Sequence, residues 1–170
     1  MKKHIAFLLL VASAMVAGYG YYEANWFKES EIDESFCQKI IADTDVNVLD
    51  YAAVEIIDIY HGKGIIFAAY YMDAGNTTTT GYITFAKSGN RYIFDRQSNY
   101  ISDSGIDGIA YVYIPTEGYF YVSMNPDFLG IELKHTLLSG EEQKEKILVD
   151  KNPSLVVITD IVAQVEYLLK

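Results

Sequence analysis

Two β-rich segments meet across a short polar turn in IAYVYI (109–114), PTEG (115–118) and YFYVSM (119–124). β-Branched and aromatic residues on both sides of a turn with Pro and Gly predict a β-hairpin. Pairing Ile114 with Tyr119 places on one face Ile109, Tyr111, Tyr113, Phe120, Val122 and Met124. The other face then carries Ala110, Val112, Ile114, Tyr119 and Tyr121. Because both faces are apolar, the hairpin is predicted to lie at the centre of the molecule, covered on both sides.

Four strands upstream of this hairpin are predicted to form an antiparallel meander, because parallel strands would need long crossovers. Their ranges are 54–60, 65–72, 78–86 and 91–96. The Gly-containing turns between the first two and the last two strands predict hairpins. The predicted registers pair Tyr60 with Ile65 and Ala86 with Arg91.

Downstream, strands are predicted at 130–137, 144–149 and 155–161, while 162–170 closes the sheet as a strand or forms a terminal helix. The polar stretch 97–108 is predicted to be a mobile loop or an internal seam. The expected fold class is mainly β (α+β), a single antiparallel domain over 28–170 with seven to nine strands. A curved sheet around the helix and a two-sheet sandwich both fit this pattern.

One amphipathic helix is predicted from Glu31 to Ala42, with Ser30 and Asp33 as a weak capping box. Cys37 is the chain's one cysteine, so the fold has no internal disulfide. It lies beside the apolar stripe of this helix, and we expect it to be a core residue rather than a catalytic thiol.

The leader, residues 1–27, begins with Lys2 and Lys3 and continues from Ile5 to Tyr22 without a charged side chain. This pattern is typical of a secretory signal peptide or an N-terminal membrane anchor. Small residues at 12–14 and 16–18 would suit signal peptidase. A retained helix from 5 to 22 would span roughly 27 Å, close to the ~30 Å hydrocarbon layer. The tyrosines at 19, 21 and 22 and the tryptophan at 26 favour the anchor, because such rings prefer the membrane interface.

The chain has a net charge of −10, and without Lys2 and Lys3 its 11 basic and 23 acidic residues give −12. Such a charge repels phosphate backbones, so no nucleic-acid partner is expected. The leader predicts localisation at the cell membrane, with the β-rich part on the extracytoplasmic side, or secretion if the leader is cleaved.

The sequence contains no catalytic or metal-binding signature. No Gly-x-Ser-x-Gly turn is present, and His61 and His135 are separated singles. The stretch 103–108 begins like a calcium loop, but its twelfth position is Ile114 where a bidentate Glu is required. No cofactor, metal or catalytic residue is therefore predicted. Three strand carboxylates could still converge in space to form a scattered hydrolase site, namely Glu55, Asp58 and Asp95.

The 15 tyrosines allow two interpretations. Tyrosine is a good strand residue with half-buried packing, which we favour as the general explanation. On an exposed sheet face, the same rings bind peptide or carbohydrate, because they offer flat apolar area with a polar tip. The ligand-binding candidates are Tyr111, Tyr113, Tyr119 and Tyr121.

The function expected is that of a bacterial, membrane-anchored, extracytoplasmic binding module without enzymatic activity, which takes a protein or peptide partner. The alternative is a small extracytoplasmic hydrolase or carbohydrate-binding protein. A third interpretation is a structural envelope component or an inhibitor of a partner enzyme.

Overall fold

The structure is a computed structural model that describes residues 26–44, 54–73, 78–98, 103–106, 108–136, 139–159 and 164–170. These residues form a 3-10 turn (Glu29–Glu31), one α-helix, α1 (Glu34–Thr44), and twelve β-strands. The strands are β1 (Trp26–Phe27), β2 (Val54–His61), β3 (Ile65–Asp73), β4 (Thr78–Ser88), β5 (Arg91–Ser98), β6 (Asp103–Ile106), β7 (Ile109–Ile114), β8 (Gly118–Ser123), β9 (Phe128–Thr136), β10 (Glu142–Leu148), β11 (Ser154–Ile158) and β12 (Gln164–Leu169). The predicted mainly β fold with one helix after the leader is confirmed, while the leader itself lies outside the described residues.

The strands form three antiparallel sheets. The first sheet has the order β1-β5-β4-β3-β2, so the predicted meander is confirmed. The second sheet has the order β11-β8-β7-β6, and the third has the order β10-β9-β12. Both expected architectures, one curved sheet and a two-sheet sandwich, are therefore wrong, and the expected seven to nine strands are too few. The short strands β1 and β6 account for part of this difference, because strands of two and four residues leave little pattern in a sequence.

Three hydrophobic clusters stack the molecule into layers. Helix α1 packs on the outer face of the first sheet, around Ile66, Ile83 and Phe85. The inner face of the first sheet packs against the second sheet through Phe67 and Phe120, among others. The second sheet packs with its opposite face on the third. The β7–β8 hairpin thus contributes to two cores, as its two apolar faces predicted.

Helix α1 begins three residues later than predicted. Asp33 is its N-cap, because Asp33 Oδ1 accepts a hydrogen bond of 2.8 Å from the backbone N–H of Phe36. Ser30 lies in the preceding 3-10 turn and not at a cap. Cys37 and Ile41 are fully buried against the first sheet, so the prediction that Cys37 is a core residue is confirmed.

The two predicted registers in the first sheet are wrong by two residues. Tyr60 pairs with Phe67, and Ser88 pairs with Arg91 across a two-residue turn. The strands extend further into both turns than the sequence indicated, and Gly89, with φ of 63°, supplies the left-handed conformation that the tighter turn needs. Each of the two strand pairs also contains a β-bulge, with Ile57 as the extra residue on β2 and Asp95 as the extra residue on β5. Each bulge shifts the register of the residues that lie beyond it.

The chain passes from the first sheet to the second within 97–108, the segment predicted to be a loop or a seam. Part of this segment is strand β6, which pairs with β7. At the C-terminus the alternative left open is decided, because 164–169 is strand β12 and not a helix. It pairs with β9, whose predicted alternation places Ile131 and Leu133 in the third cluster.

On its other face, β9 carries an ion-pair network rather than freely solvated charges. Glu132 accepts from Lys144 at 3.2 Å and lies 3.6 Å from Lys146, while Lys134 pairs with Glu166. The hydrogen bond from Lys144 lowers the pKa of Glu132, and the hydrogen bond to Glu166 raises the pKa of Lys134. Lysines on the edge strand β10 also discourage pairing with further strands.

Glu117 joins the turns of two different sheets. Its side chain is buried although it lies in the β7–β8 turn. One carboxylate oxygen accepts a hydrogen bond of 2.7 Å from the backbone N–H of Gly64, and the other accepts from that of Lys63 at 3.3 Å. A Cβ at Gly62 would lie 2.4 Å from the same carboxylate, so a larger residue there would displace the Glu117 side chain. The carboxylate therefore holds the edges of the first and second sheets together.

Replacing Glu117 by Gln is expected to lower the free energy of unfolding by about 2 kcal/mol, because the amide keeps one acceptor oxygen, loses the charge and turns an NH2 donor towards a backbone N–H in a buried site. Urea unfolding of the full chain in detergent micelles measures this change. Gly62→Ala is expected to destabilise through the same carboxylate. Glu141→Gln, an exposed carboxylate with the same charge change, serves as the control and should stay within about 0.5 kcal/mol of the parent. Equal losses for Glu117→Gln and Glu141→Gln would contradict the role given to Glu117.

Cys37 is expected to be inert to thiol reagents in the folded chain. Burial raises the pKa of the thiol to about 12, and the carboxylates of Asp33 and Glu34 add to this effect. At pH 8 a disulfide reagent should therefore modify Cys37 only when urea unfolds the protein. A Ser35→Cys variant in a Cys37→Ala background places an exposed thiol on the same helix and should react at once. Equally fast reaction of the parent without urea would show that Cys37 is accessible.

Candidate functional site

The four candidate tyrosines lie together on one face of the β7–β8 hairpin. Tyr111 pairs with Tyr121, and Tyr113 pairs with Tyr119. The register predicted from the sequence placed Tyr111 and Tyr113 on one face of the hairpin and Tyr119 and Tyr121 on the other. That register was wrong by one residue. A shift of one residue moves every side chain of one strand to the other face. The structure therefore creates a tyrosine face (Tyr111, Tyr113, Tyr119 and Tyr121) that the predicted register did not contain.

The turn explains the shift. Ile114 pairs with Gly118 rather than with Tyr119, so the connection has three residues instead of four. Gly118 has φ of 109°, and a Cβ there would lie 2.1 Å from the carbonyl oxygen of Ile158 on β11. Only glycine fits both the backbone conformation and this close strand. Gly118 therefore belongs to strand β8, and the tyrosines follow on alternate positions.

Neighbouring rings of the tyrosine face lie within contact distance of each other. The centroids of Tyr113 and Tyr119 are 4.7 Å apart, those of Tyr111 and Tyr121 are 5.8 Å apart, and those of Tyr119 and Tyr121 are 6.3 Å apart. The planes of the last pair are inclined by only 30°. Tyr113 is 54% exposed and Tyr111 is 40% exposed, whereas Tyr121 is buried. The exposed pair thus lies beside the rings of Tyr119 and Tyr121, which restrict its motion.

The third sheet covers one part of this face and leaves the other part open. Tyr121 belongs to the cluster formed with the third sheet, and its ring meets that of Tyr167 on β12 at 6.0 Å, edge to face. Burial raises the pKa of the Tyr121 hydroxyl to about 12, with further contributions from Tyr167, Tyr119 and Tyr111. The sequence left open whether Tyr167 lies on a strand or a helix, so its contribution to the face could not be predicted.

The three carboxylates considered for a scattered hydrolase site do not converge. Glu55 and Asp58 lie on β2, and Asp95 lies on β5, with β3 and β4 between them. Three strand spacings, or roughly 14 Å, separate β2 from β5. Glu55 accepts a hydrogen bond from the hydroxyl of Tyr71, and Asp58 accepts one of 2.8 Å from the backbone N–H of Ile59.

The histidines are likewise apart. His61 is exposed at the end of β2, where its Nδ1 lies 3.3 Å from a carboxylate oxygen of Glu29, and His135 lies on β9 in the third sheet. Among the residues that the structure describes, no group of three or more His, Cys, Asp or Glu side chains is arranged to hold a metal ion. Of the stretch that resembled a calcium loop, residues 103–106 form strand β6.

Neither a family model nor a curated protein nor a solved structure matches this chain. The part of the chain described by the structure contains no helix that is long and apolar enough to cross a membrane.

Ionisation of the Tyr121 hydroxyl is expected to lower the free energy of unfolding at high pH. Its pKa is raised in the folded state, from 10.0 to about 12, so folding favours the protonated hydroxyl. The stabilisation is complete below pH 10 and is lost as the pH rises towards 12. The free energy of unfolding of Tyr121→Phe should therefore fall less steeply between pH 10 and 12 than that of the parent. Denaturant titrations at several pH values measure this slope; identical slopes would show that Tyr121 ionises as freely as in the unfolded chain.

Proposed function

We propose that this chain is a membrane-anchored, extracytoplasmic binding module without enzymatic activity, and that its tyrosine face binds a protein or peptide partner. The observation that carries the proposal is the pair of exposed rings, Tyr111 and Tyr113, each packed beside the ring of its cross-strand partner, Tyr121 or Tyr119. The apolar leader at residues 5–22 supports the membrane attachment and the extracytoplasmic location.

A supported pair of tyrosines suits a protein interface for physical reasons. Each ring buries a large apolar area on contact and has few rotatable bonds, so little conformational entropy is lost on binding. The hydroxyl groups remain able to hydrogen-bond at the rim of a contact. Tyrosine is accordingly one of the residues that most often dominate binding energy in interfaces.

A second candidate function, carbohydrate binding, is favoured by the ring geometry of the face. Tyr119 and Tyr121 are inclined by only 30°, and Tyr113 and Tyr119 by 39°. Tyr121 is buried, so Tyr113 and Tyr119 are the rings of this series that offer apolar area on which a sugar ring can lie. The hydrolase alternative gains no such support, because Glu55 and Asp58 are three strands away from Asp95.

Crosslinking in intact cells tests the proposal. A photo-crosslinking residue replaces Tyr113 in the full chain, and the captured protein is identified after purification. The matched control carries the same residue in place of Leu148, which is 67% exposed on the third sheet. Capture of one protein from position 113 and not from 148 is the expected result.

The double variant Tyr111→Ala/Tyr113→Ala should lower capture by a reporter placed at Thr116, in the adjacent turn, by about tenfold or more, since loss of a central aromatic residue often costs over 2 kcal/mol of binding. Leu129→Ala, another exposed apolar side chain, should leave capture unchanged. Unchanged capture by the double variant would overturn the assignment of the face. Binding to a glycan array that disappears in the double variant, without protein capture, would favour the carbohydrate function instead.

A further inference from the structure

A second surface feature lies between the first and second sheets. It is a cleft of about 230 Å³ where β4 and β5 of one sheet meet β7 of the other. Its position follows from how short the strands β1 and β6 are. Among the described residues, β1 pairs with β5 only at Tyr92 and Ile93, and β6 pairs with β7 only at Ile109 and Ala110. Within the described residues, the later parts of β5 and β7 therefore have no partner strand on their outer sides, and the cleft lies between them.

Three polar side chains line this cleft, namely those of Tyr82, Thr84 and Asp95. Thr84 is 4% exposed and Tyr82 is 6% exposed, and Asp95 lies at the exposed side of the cleft. In the part of the chain that is described, none of the three side chains makes a hydrogen bond or an ion pair. A buried hydroxyl without a partner costs free energy, typically about 1–3 kcal/mol. A ligand that hydrogen-bonds to these groups would recover that cost.

We propose that the cleft binds an organic ammonium group attached to a short apolar body. An ammonium group has three N–H donors and no acceptor. The cleft offers three oxygen acceptors, namely the carboxylate of Asp95 and the hydroxyl oxygens of Thr84 and Tyr82. The carboxylate balances the positive charge, and the net charge of −10 attracts cations to the surface in general.

The remaining walls fit the body of such a ligand. Ile65, Val112 and Ile114 provide apolar surface on both sheets. Tyr113 also borders the cleft, while its ring packs beside that of Tyr119 on the tyrosine face. A volume of about 230 Å³ exceeds the ~150 Å³ of an apolar cavity that holds benzene. Benzylamine therefore has a suitable size and charge as a probe.

The three oxygen acceptors of the cleft do not belong to the tyrosine face. The acceptors lie between the sheets, whereas Tyr111 and Tyr119 lie on the opposite side of the second sheet. The proposal can therefore hold or fail separately from the proposed function.

Calorimetric titration of the full chain in neutral detergent micelles with benzylamine tests the proposal, with benzyl alcohol as an uncharged probe of the same size. Saturable binding of benzylamine is expected, and benzyl alcohol should bind at least about tenfold more weakly, because it lacks the charge that Asp95 pairs with. Equal binding of both probes, or no binding of benzylamine, would overturn the proposal.

Variants separate the contributions of the three acceptors. Asp95→Asn should weaken benzylamine binding by about tenfold, and Thr84→Val or Tyr82→Phe should each weaken it by roughly fivefold, as expected for a charged and a neutral hydrogen bond. Glu145→Gln removes the same charge from an exposed strand of the third sheet and should have no effect. Thermal unfolding of each variant checks that the fold is intact. Equal weakening of benzylamine binding by Asp95→Asn and Glu145→Gln would show that the net charge, and not a contact with Asp95, causes the effect. That result would overturn the proposed site.

The ammonium group has two sources, a free amine or a lysine side chain of a partner. A blocked Gly-Lys-Gly tripeptide distinguishes them. Tripeptide binding that depends on Asp95 supports the proposal and identifies a lysine side chain as the source. Binding of benzylamine alone, with the same dependence, supports the proposal with a small free amine as the source.

Discussion

Phe120 stacks on Phe67 with ring centroids 4.2 Å apart, and this contact joins the first sheet to the second. Tyr82 also stacks on Phe67 at 5.2 Å, and Tyr60 meets Phe120 edge to face at 5.4 Å. Aromatic pairs of this kind contribute about 0.5–1.5 kcal/mol each beyond the area that they bury. Because the chain has no disulfide, packing of this kind together with the Glu117 hydrogen bonds must hold the sheets.

The same contact determines what the opposite face of the hairpin presents. In a strand, alternate side chains point to opposite faces, so burying Phe120 against the first sheet turns Tyr119 and Tyr121 the other way. Their partners across the hairpin are Tyr113 and Tyr111. The third sheet then covers Tyr121 but leaves Tyr111 and Tyr113 exposed. The proposed binding face is thus a direct consequence of how the central hairpin packs.

The two proposed sites use different properties of the same hairpin. The tyrosine face offers apolar area with little loss of conformational entropy on binding, which suits a protein surface. The cleft offers oxygen acceptors that have no hydrogen-bond partner among the described residues and lie between apolar walls, which suits a small cation. Tyr113 borders both, since it is exposed on the face and also lines the cleft.

The sequence alone was enough to predict the long strands, the meander, the helix around Cys37 and the central position of the β7–β8 hairpin. These features depend on local apolar periodicity, which is visible in one chain. Only the tertiary structure decided the registers, the division into three sheets and the grouping of the four tyrosines. Gly118 shows the reason: its place in the strand depends on the nearby carbonyl of Ile158, forty residues away in the chain. Thr84, Tyr82 and Asp95 likewise come to face β7 only when two sheets pack, and such contacts between distant segments leave no local pattern in the sequence.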